Sequence, residues 1–197
     1  MEKLIDAVLG RIFIEIEASG RHIHLTKAQS HALFGHSLTA KRPLSQPGQF
    51  LAKERLTLRG PKGEFCNVAV LGPERSHAQV EISLTDGVTL GIDPPVRLSG
   101  DVQGSPGAVL VGPMGQVTLP TGVIAAKCHI HITPEKALLF GVQDKQKVKF
   151  QAFTRRPVIF EDVVVRVSPE FDTFVHLDYD EANACGFRPG SLGRILP

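Results

Sequence analysis

Short alternating segments, broken by glycine and proline, are the feature that most restricts how this chain can fold. In "RIFIEIEAS", the residues Ile12, Ile14 and Ile16 alternate with charged residues, which is the period of a strand whose two faces differ. About a dozen such segments follow one another, among them "ERLTLRG", "EFCNVAVLG", "QVEIS", "GAVLVG", "GVIAAKCHIHI", "KVKFQAF", "PVIF", "DVVVRVS", "TFVHLD" and "LGRILP". Many short strands in a chain with 19 glycines and 14 prolines predict a barrel or a sandwich.

Turn chemistry repeats within this pattern. "LTLRGPKGEF" and "AVLVGPMGQV" each place Gly-Pro-x-Gly between two strand segments, which predicts two hairpins. The first ten residues, "MEKLIDAVLG", predict instead a short amphipathic helix that ends at Gly10. That helix either docks on the body of the protein or binds a partner. The chain contains no low-complexity linker, so any two domains are expected to pack closely.

Composition and charge exclude several classes of partner. The net charge of +2 and the lack of a basic run argue against a nucleic-acid surface. No apolar stretch reaches the length of about 18 residues that a membrane span needs, and the first residues lack a secretory cleavage site. The three cysteines, Cys66, Cys128 and Cys185, form no CxxC motif and no even-numbered framework. These features predict a cytoplasmic protein.

Two histidine pairs stand in nearly the same context, "RHIHLT" at 21–26 and "CHIHIT" at 128–133. On a strand, residues two apart share a face, so His22 and His24 point together, as do His129 and His131. Each pair would then be a clamp for a transition metal, and Zn²⁺ suits imidazole with carboxylate. The alternative is that these side chains only bind backbone carbonyls. His31, His36 and His77 lack such a partner and are interpreted as surface residues.

The same local sequence pattern occurs four times in the chain. A strand ends in a potential metal ligand, a capping residue follows, and a short helix ends at glycine. The four ligand positions are His24, Glu81, His131 and His176. The expected caps are Thr26, Thr133, and either Asp178 or Asp180.

Three further positions carry chemistry. Arg75 lies six residues before Glu81 and suits recognition of phosphate, although the sequence alone favours a solvated loop arginine. The loop "RLSGDVQGSPG" at 97–107 can turn several backbone N–H groups toward an anion, but it matches neither the P-loop nor the GxGxxG pattern. Arg166 interrupts a strand that should be buried and therefore needs a partner or a bound anion. Cys128 should point away from the His129 clamp, because neighbours on a strand face opposite sides.

Taken in order, seven motifs resemble one known family. The motifs are "RHIHLT" with "AKCHIHITP", "LSQPGQF", "LGPERSHAQVEISLTD", "SGDVQGSPG", "DVVVRVSPEF" and "HLDYDEANACG". They resemble the PduL-type phosphotransacylases, the phosphate propanoyltransferases of propanediol utilisation and their acetyl-transferring relatives, over about residues 11–187. The resemblance implies a mainly β fold of two closed β-barrels capped by short α-helices, with a metal site at the barrel interface. Residues 11–20 with 127–197 would form one barrel and residues 21–126 the other, after an N-terminal helix over residues 1–10.

The resemblance also implies a site and a set of partners. Two zinc ions per chain would be held by His22, His24 and Glu81 and by His129, His131 and His176. Arg75 would bind phosphate, and Ser99 and Arg166 fall in active-site motifs. Cys128 departs from the arginine usual before the second histidine pair. The expected partners are acyl-CoA, CoA and phosphate, with a homodimer and the shell or cargo of a bacterial microcompartment as further expectations.

The implied reaction converts short-chain acyl-CoA and phosphate into acyl phosphate and CoA, by zinc-assisted direct attack in a ternary complex. The first metal would meet the CoA sulfur, and the second would keep open positions for phosphate or water. Two alternatives remain, a metal-dependent thioester hydrolase and a zinc-stabilised assembly protein without catalysis.

Overall fold

The computed structural model describes residue 10 and residues 12–196. Within that part of the chain it contains fifteen β-strands and four short α-helices, so the expected mainly β class is confirmed. The helix predicted for residues 1–10 lies outside the described residues except for Gly10. None of the described helices has the length and apolar character needed to cross a membrane.

The elements follow the chain in this order. The strands are β1 (Ile14–Ala18), β2 (His22–His24), β3 (Ala40–Pro43), β4 (Phe50–Arg59), β5 (Glu64–Gly72), β6 (Gln79–Ile82), β7 (Val96–Arg97), β8 (Ala108–Gly112), β9 (Gly115–Leu119), β10 (Val123–Ala126), β11 (His129–Ile132), β12 (Lys147–Phe153), β13 (Val158–Val167), β14 (Phe174–Leu177) and β15 (Leu192–Leu196). The helices are α1 (Lys27–Phe34), α2 (Leu84–Leu90), α3 (Pro134–Phe140) and α4 (Tyr179–Cys185).

The chain divides into two compact units. The barrel unit consists of the described residues up to Ser19 together with those from Lys127 onward. Its strands form a closed barrel in the order β1-β14-β11-β13-β12-β15. Closure depends on β1, which pairs in parallel with β14 and antiparallel with β15. The barrel interior is filled by apolar side chains such as Ile16 and Phe150, which are almost fully buried.

The sheet unit, Gly20–Ala126, contains a nine-stranded sheet. Its main path is β7-β10-β6-β2-β5-β4-β8-β9, and β3 pairs with β4 at the side. Its own apolar core includes Ile23, Leu58 and Leu110, none of which exposes any surface. Helix α1 packs against β8 and β9, where the backbone N–H of Met114 donates to the carbonyl of Leu33.

The expectation of a second closed barrel is corrected by this sheet. In the barrel unit, β15 pairs with β12 on one side and with β1 on the other, which closes the ring. In the sheet unit, β8 pairs with β4 in the same way, but its other edge is taken by β9 in a hairpin. Strand β10 does not pair with β8, and the N–H of Val123 donates instead to the carbonyl of Pro106, before β8 begins. The hairpin is why the sheet stays open between β7 and β9.

All four predicted short helices form, and α1, α3 and α4 begin at the caps expected from the sequence. The side chains of Thr26, Ser83, Thr133 and Asp178 accept hydrogen bonds from the first turns of α1 to α4, in that order. Each helix ends at a glycine in the left-handed conformation, for example Gly91 with φ 72°. These short helices turn the chain away directly after β2, β6, β11 and β14, the strands that carry the predicted metal ligands.

Both predicted Gly-Pro-x-Gly hairpins form, between β4 and β5 and between β8 and β9. Two strand boundaries differ from the prediction. The segment "GVIAAKCHIHI" forms two strands, β10 and β11, because the chain passes from one unit to the other at Lys127. "PVIF" and "DVVVRVS" form the single strand β13, in which Asp162 has a φ of 58° and the register to β12 shifts.

Candidate functional site

Three side chains of the sheet unit form what we call the first clamp: His22, His24 and Glu81. Strand β2 carries both histidines, and the antiparallel neighbour β6 places Glu81 directly opposite His22. Nε2 of His22 lies 3.5 Å from Oε2 of Glu81, and one ligand atom from each of the three residues lies within 4.8 Å of the others. All three side chains are buried, so this cluster of metal-ligand types is part of the protein interior.

The protonation states in the first clamp suit a metal. Burial opposes ionisation of Glu81, but the charge and hydrogen bond of His22 outweigh it and hold the pKa of Glu81 well below its usual range. Burial, and then the charges of His22 and Arg75, lower the pKa of His24 to about 2. Burial by itself would lower the pKa of His22, but the charge and hydrogen bond of the neighbouring Glu81 outweigh it, so the pKa of His22 is raised. An ionised carboxylate and a neutral imidazole are the forms that bind metal ions, and a metal would replace the proton of His22.

The orientation of the rings also fits a metal. Nδ1 of His22 lies 2.8 Å from the carbonyl oxygen of Gly20, which leaves Nε2 to face Glu81. A backbone carbonyl on one ring nitrogen is the usual support of a metal-binding histidine. Nδ1 of His24 is buried and has no hydrogen-bond partner among the described residues. Such an orphaned ring nitrogen is costly unless it receives a ligand.

Next to this clamp lies a polar network that includes two predicted site residues. NH1 of Arg75 donates to Oγ of Ser99 at 3.3 Å, and Nε2 of Gln79 donates to the same oxygen at 2.8 Å. Nε2 of Gln79 also donates to Oε1 of Glu81 at 2.5 Å, and its Oε1 accepts from the N–H of Gly100 at 2.7 Å. Arg75 is half-buried here, and the solvated-loop alternative does not describe it.

The barrel unit holds the second clamp: His129, His131 and His176. Strand β11 carries the pair, and the antiparallel neighbour β14 places His176 opposite His129. One ligand atom from each of the three again lies within 4.8 Å of the others. Nδ1 of His129 lies 2.8 Å from the carbonyl oxygen of Lys127, which repeats the support of His22. Nδ1 of His176 lies 3.7 Å from Oε2 of Glu17 on β1, so a carboxylate lies near this third ring.

Arg166 lies beside the second clamp. It is the Cα partner of His131 across the parallel strands β11 and β13. Its guanidinium stands 5.8 Å from the ring centroid of Phe171, and that ring stacks on His131 at 4.1 Å. The sequence alone indicated that Arg166 needed a partner, and the structure supplies the aromatic ring.

The remaining histidines and cysteines lie elsewhere. His31, His36 and His77 are exposed, as interpreted from the sequence. Cys128 and Cys185 are buried in the core of the barrel unit, and Cys66 is exposed.

Sequence reasoning did not single out Gln79, Glu17 or Phe171. Gln79 could have been found, because it lies two residues before Glu81 on a predicted strand and must share its face. No such signal existed for Glu17 and Phe171. Their contacts depend on the pairing of β1 with β14 and on the loop between β13 and β14.

Comparison with known proteins gives the family. A family model described as phosphate propanoyltransferase matches residues 15–188. The chain is 52% identical to a phosphate propanoyltransferase of Enterococcus faecalis, covering 100% of this chain and 97% of that protein. It is 49% identical to the one of Clostridioides difficile, covering 100% and 95%, and 48% identical to that of Thermotoga maritima, covering 93% and 89%. The matched span contains both clamps, Arg75, Ser99 and Arg166, and the chain therefore belongs to the phosphate propanoyltransferase family of phosphotransacylase enzymes.

Proposed function

We propose that this phosphotransacylase converts propionyl-CoA or acetyl-CoA and inorganic phosphate into the acyl phosphate and CoA. The observation that carries the proposal is the position of Arg75. NH1 of Arg75 donates to Ser99, which Gln79 links to Glu81, so a guanidinium of the kind that binds phosphate stands next to a cluster of metal ligands. The similarity to phosphate propanoyltransferases supports propionyl-CoA as a substrate.

The donor sets support Zn²⁺ as the metal of both clamps. Two imidazoles with one carboxylate in the first clamp and three imidazoles in the second match the sets that hold catalytic zinc. Three protein ligands leave a coordination position for another molecule. A zinc ion bound there would act as a Lewis acid toward the thioester oxygen and the CoA sulfur.

The residues of the chain position the reactants. Arg75 holds the phosphate dianion through its planar fork, and the Ser99 hydroxyl orients that guanidinium. One phosphate oxygen attacks the thioester carbonyl carbon, the C–S bond breaks, and the proton of the hydrogen phosphate passes to the departing CoA thiolate. We propose that Arg166, beside the second clamp, contributes a further positive charge for anionic groups of the substrates. Holding both substrates together supplies much of the rate acceleration.

A single assay tests this function. The release of CoA is followed with acetyl-, propionyl- and butyryl-CoA, each with and without phosphate, and acyl phosphate is trapped with hydroxylamine. We expect release that depends on phosphate and yields one acyl hydroxamate per CoA. Release of CoA without phosphate and without hydroxamate would instead identify a thioester hydrolase. Absence of turnover with all three esters in zinc-loaded protein would favour the assembly protein.

A further inference from the structure

The two clamps are built on the same local frame. In each, a strand bearing His-x-His pairs antiparallel with the strand that carries the third ligand, and that ligand lies opposite the first histidine. A capped helix begins shortly after the third ligand in both units, α2 in one and α4 in the other. Residues can therefore be compared between the clamps by their offset from the ligands.

In the first clamp, Arg21, the residue before His22, forms an ion pair with Asp86 in helix α2. Nε and NH2 of Arg21 donate to the two carboxylate oxygens of Asp86 at 3.0 and 2.6 Å. Asp86 is buried and also forms the capping box of α2, where its carboxylate accepts from the N–H of Ser83. The guanidinium of Arg21 lies 4.0 Å from the ring centroid of Phe65 on β5. The pair thus joins the start of β2 to the start of α2, with β5 as a support.

The corresponding residues of the second clamp cannot form this contact. Cys128 precedes His129 as Arg21 precedes His22, and Glu181 occupies the third position of α4 as Asp86 does in α2. A thiol cannot form the bidentate ion pair that a guanidinium forms with a carboxylate. Burial raises the pKa of Glu181 to about 7. The charge of Lys127 lowers the pKa of Glu181, but the Lys127 ammonium forms its ion pair with Asp162, at 2.6 Å.

We propose that Arg21 and Asp86 are a positioning pair that holds the first clamp in its metal-binding geometry, and that the second clamp, which has Cys128 and Glu181 in their places, releases its metal ion faster. The inference rests on the proposed binding of a metal by both clamps, but not on the proposed acyl transfer. Neither Arg21 nor Asp86 is a metal ligand.

The physical reason is that a metal binds more tightly when its ligands are already held in the binding geometry. A bidentate arginine–carboxylate pair fixes distance and angle together, and a buried carboxylate keeps it from exchanging with water. Because Arg21 adjoins His22 and Asp86 lies five residues beyond Glu81, loss of the pair frees the two strands to shift at the ligands. Residues that support ligands in this way typically change metal affinity about 10–100-fold when removed.

Release of zinc measures the proposal directly. The zinc-loaded protein is mixed with excess chromophoric chelator, and the release of zinc is followed over time. We expect two phases whose rates differ by about tenfold or more. His129→Ala, which leaves only the first clamp, should show the slow phase, and His22→Ala should show the fast one.

Variants of the pair then test its role. Asp86→Asn and Arg21→Lys should each accelerate the slow phase about tenfold and leave the fast phase unchanged. The double variant Arg21→Cys with Asp86→Glu gives the first clamp the residues of the second, and its two phases should approach one rate. Arg59→Lys is the matched control, since Arg59 forms an ion pair with Glu64 at 2.8 Å on the exposed side of the same unit. Thermal melting verifies that each variant is folded, and Arg21→Lys is the mildest change.

Three results would overturn the inference. In the first, the slow phase comes from the second clamp. In the second, folded Arg21→Lys releases zinc in the slow phase at the wild-type rate. In the third, the two clamps of the wild type release zinc at equal rates. Protein that binds no zinc at all would remove the proposed metal centre itself, a result distinguishable from equal rates. Phosphate-dependent turnover need not change for any of the first three results.

Discussion

Nε2 of Gln79 donates a hydrogen bond to Oε1 of Glu81, two residues further along the same strand. The same nitrogen reaches Ser99, so one amide orients a metal-ligand carboxylate and a predicted site residue together. We expect Gln79→Ala to weaken zinc binding by the first clamp about 10–100-fold, as loss of a ligand's hydrogen-bond partner typically does. Competition with a chelator measures the change. Gln116→Ala, an exposed glutamine of the same unit, should not alter the affinity.

Replacement of Arg75 by lysine should separate phosphate binding from CoA-ester binding. Lysine keeps the positive charge but cannot form two parallel hydrogen bonds to one anion. A hydrogen bond to a charged group contributes about 1.5–3 kcal/mol, so we expect KM for phosphate to rise about 10-fold to 100-fold. KM for the acyl-CoA should change little. Steady-state kinetics with each substrate varied in turn provide both values, and an unchanged KM for phosphate would remove Arg75 from this role.

The metal content of histidine variants tests the two clamps. The wild type should carry close to two zinc ions per chain, and chelation should abolish turnover. We expect His22→Ala and His129→Ala each to retain about one ion and to lose activity, because each removes one of three ligands. His31→Ala, His36→Ala and His77→Ala alter exposed residues and should keep both ions. Elemental analysis after gel filtration gives the ratios, and a wild type with one ion or none would contradict the assignment.

The cysteines are expected to take no part in the chemistry. Burial raises the pKa of Cys128 well above its ordinary value, so the thiolate needed for an acyl-cysteine is disfavoured. Cys128→Ser should therefore keep most of the activity. Initial-rate plots against both substrates should intersect, since direct attack requires both in one complex. Parallel plots, or an acyl group trapped on the protein, would favour a covalent mechanism.

Glu181 should make the protein less stable toward neutral pH. Burial, followed by the charges of Asp178 and Asp180, raises its pKa from 4.5 to about 7, against the N–H of Asp178 and the charge of Lys127. The folded state therefore favours the protonated carboxyl, a stabilisation complete below pH 4.5 and lost as the pH rises through 7. Glu181→Gln should flatten the fall in Tm between about pH 5 and 7.5 relative to wild type at equal metal content. Equal slopes would show that Glu181 does not titrate in this range.

Local patterns of the sequence predicted much of the fold and of the two clamps. Alternation revealed the strands, and it placed His22 with His24 and His129 with His131 on common faces. The capping residues revealed where α1, α3 and α4 begin, and the pattern of a short helix ending at glycine held for all four helices. These features depend on neighbours within a few residues, which is why one sequence suffices to find them.

Features that depend on strand pairing could not be derived in that way. Whether β8 pairs with β9 or closes onto β10 depends on competition for one edge, and the alternation of β8 is compatible with both. The ion pair of Arg21 with Asp86 joins residues 65 positions apart. The family resemblance brought Glu81 and His176 together with the histidine pairs, and the registers of β6 and β14 give the structural reason for it.

The pairing partners of β1 and β10 determine when each unit can fold during synthesis. Strand β1 directly precedes β2 in the chain yet pairs in the other unit with β14, and β10 directly precedes β11 yet pairs with β6. The strand that precedes each His-x-His motif therefore pairs in the unit that contains the other motif, which is a reciprocal exchange of strands within one polypeptide. Residues Ile14–Ala18 leave the ribosome long before their partners Phe174–Leu177 and Leu192–Leu196 exist. The nascent chain must therefore keep the apolar face of this strand, Ile14 and Ile16, from aggregating until Leu192–Leu196 has been synthesised, and the barrel can close only afterwards.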